Sequence, residues 1–581
     1  TILSSINTID GAVQVNGGNL VVNGALSTLS LDVNTGATLS GQGAVVADVN
    51  VNTGGTLAPG DGVGTLNVAG GDVTMAAGST LSLDIDGRTY VPTGGAGSYD
   101  RLIVSGGGNF VAGGTISPVL RGIAAPATNT FTPVLGDRFT VVQADAVSGE
   151  FASVAQPAAG LAANTRFDVL YGPQAINLVV TPGSYGLLGR TAGWRLNAVS
   201  AATGIDVVRP RAGLRNHAMM PFFNGIYGMT GPQLAMAFQQ VSGEVHTHAL
   251  QMAHASAGRA TQTAMDAAQD TGSIGWGCGD GDGRVRSASS ADADGGRRSD
   301  ACVDGRTKNG LRIWGEVNAN QTQAEDDATA YRYDNNERGF IMGVDKELAS
   351  GTRIGLGGRY AESDLDTPIG SQAKLNAVGA FAYASHSFGN LNLAAVAGYS
   401  STKVRTEREL NLLTGLSTAH DSYRVNTLSG ALEARYTVPV GQNAVLRPVA
   451  GIEVERSSAG TVQEVNANPA LALALPSEKW TTVRSKLGAE ARVGIGSRLQ
   501  GKVFGNWRHT LDGNPTAVRA VNFGTAKWDV SSVVADKDNF EFGAGLTVGL
   551  SQNARIGVEY TGSRDGSYKV DSGSVNFTVR F

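Results

Sequence analysis

The residues best placed to do chemistry are three histidines, His246, His248 and His254, and two aspartates two apart, Asp84 and Asp86. On a helix an i, i+2 pair such as His246 and His248 diverges, and His254 lies eight positions beyond His246, so the spacing predicts no metal site. Polar side chains lining a pore account for all three histidines. Asp84 and Asp86 would share one face of a strand, as an acid/base pair would need. The same spacing equally describes a solvated strand face, and that is the expected role. Residues 1–216 contain neither histidine nor cysteine, which removes a Ser-His-Asp triad, a Cys-His dyad and a histidine metal site from this part. Gly183-Ser184-Tyr185-Gly186 lacks the spacing of a nucleophile elbow, and Glu150 is the sole glutamate before Glu244. Cys278 and Cys302 bracket a polar stretch and fit no zinc pattern. In an oxidising compartment they are a candidate disulfide, closing a loop worth about 3 kcal/mol. Asp280-Gly-Asp282-Gly leaves the remaining ligand positions of a calcium loop unfilled. No catalytic, metal or cofactor residue is assigned, no cofactor is expected, and the chain is read as not an enzyme.

The elements that carry these residues fall into parts of different texture. The chain has 581 residues, 80 of them glycine, 16% charged residues and a net charge of −5; that balance gives no case for nucleic-acid binding. No apolar run reaches 18 residues, which excludes membrane helices but not a membrane β-barrel. Residues 1–120 hold 24 glycines and only Tyr90, Tyr99 and Phe110 as aromatics, and no lysine precedes Lys308. The fragments LSLDVNTGATLSGQG, VNVNTGGTLAPG and VTMAAGSTLSLDIDG repeat one grammar. An alternating Val/Leu/Asn strand runs into a turn with Gly or Asn, then into a short Thr-Leu strand. This predicts a parallel β-solenoid, with Asn34 and Asn52 just before corners; a two-sheet sandwich would alternate similarly. Pro232 opens an Ala-, Gln- and Met-rich stretch, with Ser242 placed to cap a fresh helix at Gly243 and Glu244 near the positive end of its dipole. From there to about Ala268 the helix would run roughly 39 Å, enough to thread a bilayer inside a hydrated pore.

From residue 311 onward 22 of the 37 aromatics occur and apolar residues alternate with polar ones. Twelve strands are predicted, at about 311–322, 337–348, 352–363, 373–388, 391–407, 423–440, 444–458, 480–495, 498–511, 539–551, 554–568 and 573–581. Short turns such as Ala349-Ser350-Gly351 and Gly389-Asn390 alternate with long loops at 408–422, 459–479 and 512–538, as in outer-membrane barrels. Leu428, Leu432, Ala434, Tyr436 and Val438 share one side of the sixth strand, and Ser429, Glu433, Arg435 and Thr437 the other. A charge facing lipid at mid-bilayer costs about 2–4 kcal/mol. The lumen is therefore assigned Glu433, Arg435, Arg484, Lys486, Glu490, Arg492 and Glu541. Trp314, Tyr383, Tyr399, Trp507 and Tyr560 are expected in the interfacial girdles.

Several of these motifs resemble one family. Gly54-Gly55-Thr56-Leu57-Ala58-Pro59-Gly60 with Gly64-Thr65-Leu66 resembles the passenger-associated repeat of autotransporters, and Tyr99-Asp100-Arg101-Leu102 through Val180 the closing rungs of such passengers. Gln240-Val241-Ser242-Gly243-Glu244-Val245-His246 resembles the linker helix before their barrels. The ending Val575, Phe577, Val579, Phe581 resembles the signal read by the barrel assembly machinery. The chain is thus similar to monomeric autotransporters of type V secretion. That resemblance implies an all-β chain: a right-handed parallel β-solenoid passenger at 1–185 with closing rungs at about 99–181, a connecting region at 186–231, a linker helix threading the pore at 232–270, a flexible loop at 271–310 and a 12-stranded antiparallel transmembrane β-barrel at 311–581. Thr1 in place of Met, with no signal segment after it, reads as a processed or trimmed chain, and the resemblance implies an outer-membrane location with the passenger on the cell surface, and display for adhesion or another surface contact. The alternative is the translocator of a secreted enzyme whose catalytic domain lies upstream of Thr1. The implied partners are outer-membrane lipid, the barrel assembly machinery, periplasmic chaperones and a host or cell-surface ligand, with no nucleic acid and a monomeric state. Some members cleave themselves within the pore helix; residues 232–270 lack asparagine, leaving Glu244 and Asp266 for an acid-assisted route, and the passenger is expected to stay attached.

Overall fold

The computed structural model describes residues 1–270, 310–348, 351–441, 443–496, 498–551 and 553–581. Residues 1–182 wind as a stack of parallel strands. In one sheet Thr38–Gly41 pairs with Thr56–Pro59, Thr56 and Leu57 with Thr80 and Leu81, and Thr80–Asp84 with Thr115–Val119. That register piles Leu39, Leu57, Leu81 and Ile116 on one another, each wholly buried. The repeat closes its corners with Gly36 and Gly54, at φ of 76° and 77°, a region a Cβ disfavours. Asn16, Asn34 and Asn52 form a ladder along the same edge, with amide bonds of 2.7 and 2.8 Å. The stack ends in an antiparallel hairpin, Thr165–Tyr171 with Ala175–Pro182, that covers the last open rung.

The connecting region expected at 186–231 is largely helical. Five helices follow the hairpin: α1 (Tyr185–Thr191), α2 (Leu196–Val208), α3 (Met220–Ile226), α4 (Gly231–Val241) and α5 (Glu244–Ala268). The break between α4 and α5 falls at Gly243, φ 83°, where a Cβ would come within 2.8 Å of Leu473. Ser242, expected to cap α5, instead ends α4, its hydroxyl donating to the Gln239 carbonyl at 2.7 Å.

The barrel strands are β1 (Leu311–Ala324), β2 (Tyr333–Glu347), β3 (Thr352–Asp366), β4 (Gln372–Phe388), β5 (Leu391–Leu412), β6 (Gly415–Tyr436), β7 (Ala444–Ala459), β8 (Glu478–Ile495), β9 (Leu499–Asp512), β10 (Asp538–Gly549), β11 (Ala554–Arg564) and β12 (Tyr568–Arg580). All neighbours are antiparallel, and β1 pairs with β12 from Arg312↔Arg580 to Ala324↔Tyr568, closing the sheet. Closure leaves no free edge in lipid, the condition for a spanning sheet. The exposed face is apolar, with Leu432 59%, Leu428 60%, Leu356 63% and Val503 55% exposed.

The sequence placed a long loop at 408–422; the structure instead continues β5 and β6 as a ladder to Leu412↔Gly415. Each strand has 22 residues, about 70 Å of chain, whereas a bilayer needs only about 10 residues. On β5 the outward side chains are apolar up to Tyr399, then change to Lys403, Arg405, Glu407 and Glu409. Beyond that point the apolar side chains face inward: Val404, Leu410, Tyr423 and Val425 are buried. The alternation switches phase where the strands leave the membrane, so the outer hairpin does not carry the lipid-facing pattern. The 459–479 and 512–538 connections are also ordered, contributing to a four-stranded sheet that includes Val518–Phe523 and Ala526–Ser531.

Candidate functional site

Helix α5 runs through the barrel, and the polar face of the wall holds it along its length. His254 bonds Ser457 at 2.8 Å and Thr482 at 2.9 Å, and its ring stacks on Trp480 at 3.9 Å. Further along, Arg359 donates to the Ser256 hydroxyl at 2.6 Å, Thr261 meets Ser429 at 2.6 Å and Gln262 donates to Glu453 at 2.6 Å. Near the helix end Asp266 pairs with Arg435 at 2.5 Å. Its last carbonyls, the negative end of the dipole, accept from Arg312 at Ala267 (2.6 Å) and from Arg447 at Gln269 (3.0 Å). These partners come mainly from β3 to β8, so the helix lies against one wall. A polar cavity of about 380 Å³ remains beside it, lined among others by Lys502, Glu541, Arg555 and Glu559.

Of the lumen charges named from sequence, Glu433, Arg435, Lys486, Glu490 and Arg492 form one network. Glu433 accepts from Arg435 at 2.6 Å and Lys486 at 2.9 Å, and Glu490 from Arg492 at 2.5 Å and Arg447 at 3.2 Å. Arg484 stands apart with Glu455 at 2.9 Å, and Glu541 with Arg508 at 2.9 Å. Val575, Phe577 and Phe581 are exposed on the outer face at 47, 42 and 50%, and Val579 is half-buried. Phe577 lies over Gly315 of β1, where a Cβ would sit 2.5 Å from the ring.

Two expectations require correction. Trp314 and Tyr383 are not in a girdle but inside the lumen: the Trp314 indole donates to Tyr383 at 2.7 Å and Tyr383 to Asp345 at 2.5 Å. Their rings lie over Gly343 and Gly355, whose missing side chains make the room; Tyr399, Trp507 and Tyr560 do face outward, at 52, 43 and 45% exposed. Second, Asp84 and Asp86 are not a solvated face. Asp86 is 2% exposed and accepts from Gly97, Asn129 and both the backbone and hydroxyl of Thr128 at 2.8–2.9 Å. Burial pushes its carboxyl up, but these four donors outweigh it and hold the group below the usual range. The carboxylate that neighbours Asp84 is Asp100, which accepts from the Asp84 N–H at 2.7 Å. Burial pushes Asp84 up to about 6; burial and the neighbouring Asp84 push Asp100 well above the ordinary range. Cys278 and Cys302 lie outside the described residues. Among the described residues no cluster of three or more potential metal ligands occurs.

Above the membrane, α1 to α4 cover the barrel mouth as a collar. Phe222 meets Phe523 edge-on at 5.1 Å, Phe238 meets Tyr185 at 5.1 Å, and the Trp528 indole donates to Ser242 at 3.1 Å. Beneath them the Arg408–Glu464 pair is fully buried; Glu464 accepts from Arg408 at 2.6 and 2.9 Å, from Leu473 at 2.8 Å and contacts His246 at 3.0 Å. His248 contacts Ser532 at 2.9 Å, and Glu244 accepts from Asn197 at 3.1 Å and from Gln239. Sequence reasoning missed Arg408 and Glu464 because both lie in what looked like loops; their partners are far apart in the chain.

The autotransporter beta-domain family model matches residues 313–561. The barrel is an autotransporter β-domain. Such a barrel is non-catalytic and lies in the outer membrane, with the N-terminal part exported as passenger. Along 99% of its length the chain is 24% identical to an extracellular serine protease of Serratia marcescens, of which it covers 54%. It is 23% identical over 263 residues to outer membrane protein A of Rickettsia conorii, covering 13% of that protein. The chain thus spans about half the length of the Serratia relative and less of the Rickettsia one. Among solved structures, the translocator domain of the autotransporter NalP from Neisseria meningitidis aligns over 58% of this chain and 100% of its own, at 15% identity and a TM-score of 0.45. The transport unit of AIDA-I from Escherichia coli aligns over 48% of this chain and 91% of its own, at 14% identity and a TM-score of 0.36.

Proposed function

We propose that this autotransporter displays its N-terminal stack on the cell surface for adhesion or another surface contact, without catalysis by residues 1–182. The observation that carries this reading is the stack itself. Its interior is filled by apolar side chains such as Leu39, Leu57, Leu81 and Ile116, and before His217 the chain has no histidine or cysteine to serve as base, nucleophile or metal ligand. The candidate carboxylates are spent on structure, Asp86 on two loops and Asp100 on the Gly64 and Asp84 backbone. On this reading Val575, Phe577, Val579 and Phe581 are read by the barrel assembly machinery, periplasmic chaperones escort the unfolded chain, and one chain acts as a monomer toward a cell-surface ligand.

A second reading is favoured by the Serratia relative, named as a serine protease: the barrel would export an enzyme domain lying upstream of Thr1. The two are separated by shaving intact cells with protease, using separate antibodies to solenoid and barrel, and assaying hydrolysis of a general protein substrate. Display predicts loss of the solenoid signal with a surviving barrel fragment, binding of cells to a surface, and no hydrolysis whether or not sequence upstream of Thr1 is present. A solenoid protected until lysis would sink display, and hydrolysis that appears only when sequence upstream of Thr1 is present would favour the enzyme reading.

A further inference from the structure

We infer that the collar is a rigid, load-bearing joint that fixes the passenger to the barrel, instead of a tether on which the passenger swings. Residues 185–241 are pinned at both ends. On the solenoid side Arg209 donates to the carbonyl of Pro182 and the hydroxyl of Thr181, each at 2.6 Å, and pairs with Asp168. Its guanidinium also lies 4.4 Å from the Tyr185 ring centre. The segment then turns back along the last rungs: Val154 donates to Ala212 at 3.1 Å and Tyr171 to Gly213 at 2.6 Å.

On the barrel side Asn197 donates to Ser531 at 2.8 Å and accepts from its N–H at 3.0 Å, while Leu196 donates to Ala328 at 2.8 Å. The tip of the β5–β6 hairpin reaches the collar directly, since Leu413 donates to Gly225 at 2.9 Å. At Gly225 a Cβ would approach Leu412 to 2.7 Å, so the hairpin and α3 are in closest contact there. One apolar core runs without a gap from Val179 of the last solenoid strand through Tyr185, Phe222 and Phe238 to Phe523 and Trp528 of the barrel connections.

A tether behaves differently. As a flexible coil, residues 185–241 would have an end-to-end distance of about 40 Å and a spread of the same order. Buried hydrogen bonds and a shared core remove that freedom, and a pull on the rod then loads the β5–β6 hairpin and the wall below it. The joint is independent of what the rod contacts.

The test is pulsed electron–electron double resonance on the full chain in detergent, in a background of Cys278→Ser and Cys302→Ser. Spin labels at Ser148→Cys and Ser422→Cys report across the joint, and labels at Ser4→Cys and Ser148→Cys report the solenoid alone. A single distance across the joint, as narrow as the solenoid pair, is expected, with at least about two-fold broadening in Arg209→Ala/Asn197→Ala. The solenoid pair measured in the same variant shows that the passenger still folds. A distribution spread over tens of ångströms in the intact chain, beside a narrow solenoid pair, would overturn the joint while leaving surface display standing. A narrow distribution unchanged in the variant would overturn the role of these two contacts.

Discussion

Replacing Glu464 by glutamine tests whether the barrel mouth is held by the buried pair beneath the collar. Both side chains of the Arg408–Glu464 pair are 1% exposed, and the carboxylate takes two guanidinium bonds and the Leu473 N–H. Burial alone would push the Glu464 carboxyl up, but Arg408 outweighs it and brings it down to about 2 from an ordinary 4.5. A shift of that size corresponds to about 3 kcal/mol favouring the ionised, folded form, in line with the 3–5 kcal/mol typical of breaking a buried pair from one side. The folded state holds its proton less tightly than the unfolded one. This contribution is therefore complete above about pH 4.5 and is lost as pH falls toward 2. In Glu464→Gln the Arg408 charge loses its counter-charge and keeps neutral acceptors alone: the amide oxygen of the new side chain and the carbonyls of Leu471 at 2.8 Å and Gln240 at 3.4 Å. Hydrogen exchange followed by mass spectrometry reads the consequence locally, over α4 and residues 462–475. About 3 kcal/mol predicts exchange about 100-fold faster there at pH 7, with little change in the central strands of the barrel. Arg408→Met/Glu464→Met, which buries no unpaired charge, should recover most of the protection. Acceleration below about five-fold in the single variant, or equal acceleration in the double one, would refute the reasoning.

Two further outcomes follow from other parts of the fold. Leu432, 59% exposed on the lipid face of β6, should cost about 2–4 kcal/mol as Leu432→Arg in unfolding from lipid vesicles, and a cost near zero would place that face out of the membrane. In the solenoid, Asp84 and Asp100 are raised by burial, so the folded state binds protons that the unfolded chain has released; stability falls as pH rises from about 4 through 6. Calorimetry should therefore show Asp84→Asn raising the solenoid transition by about 3 °C at pH 7.5 and not at pH 4, and a rise equal at both values would remove the electrostatic cause.

What could be read from the sequence depended on where the hydrophobic pattern has a single cause. Inside the membrane, lipid forces one face of every strand to be apolar, so Leu428, Leu432 and Tyr436 opposite Glu433 and Arg435 mark strand, face and lumen together. The solenoid was legible because its register repeats the same residue types, with Leu39 over Leu57 over Leu81. Above the membrane the pattern has a different cause. There Leu410, Leu412, Tyr423 and Val425 are apolar because the collar covers them, and nothing local says that a collar exists. The inward turn of Trp314 and Tyr383 was hidden for a similar reason, since it depends on Gly343 and Gly355 in neighbouring strands.

The phase switch on β5 and β6 also bears on how such a chain is exported. Tyr185 and Phe238 pack on each other within the collar, whereas Phe222 finds Phe523 of the barrel connections and Gly225 abuts Leu412 of the hairpin. Helices α1 and α3 have seven residues each. Helices of that length are marginal in water without tertiary packing. In the periplasm, with the barrel connections on the far side of the membrane, residues 185–241 therefore lack the part of their core that Phe523 and Trp528 supply. The same contacts to the barrel connections that make the segment hard to read in the sequence are completed only outside the cell, and their completion opposes a return through the pore.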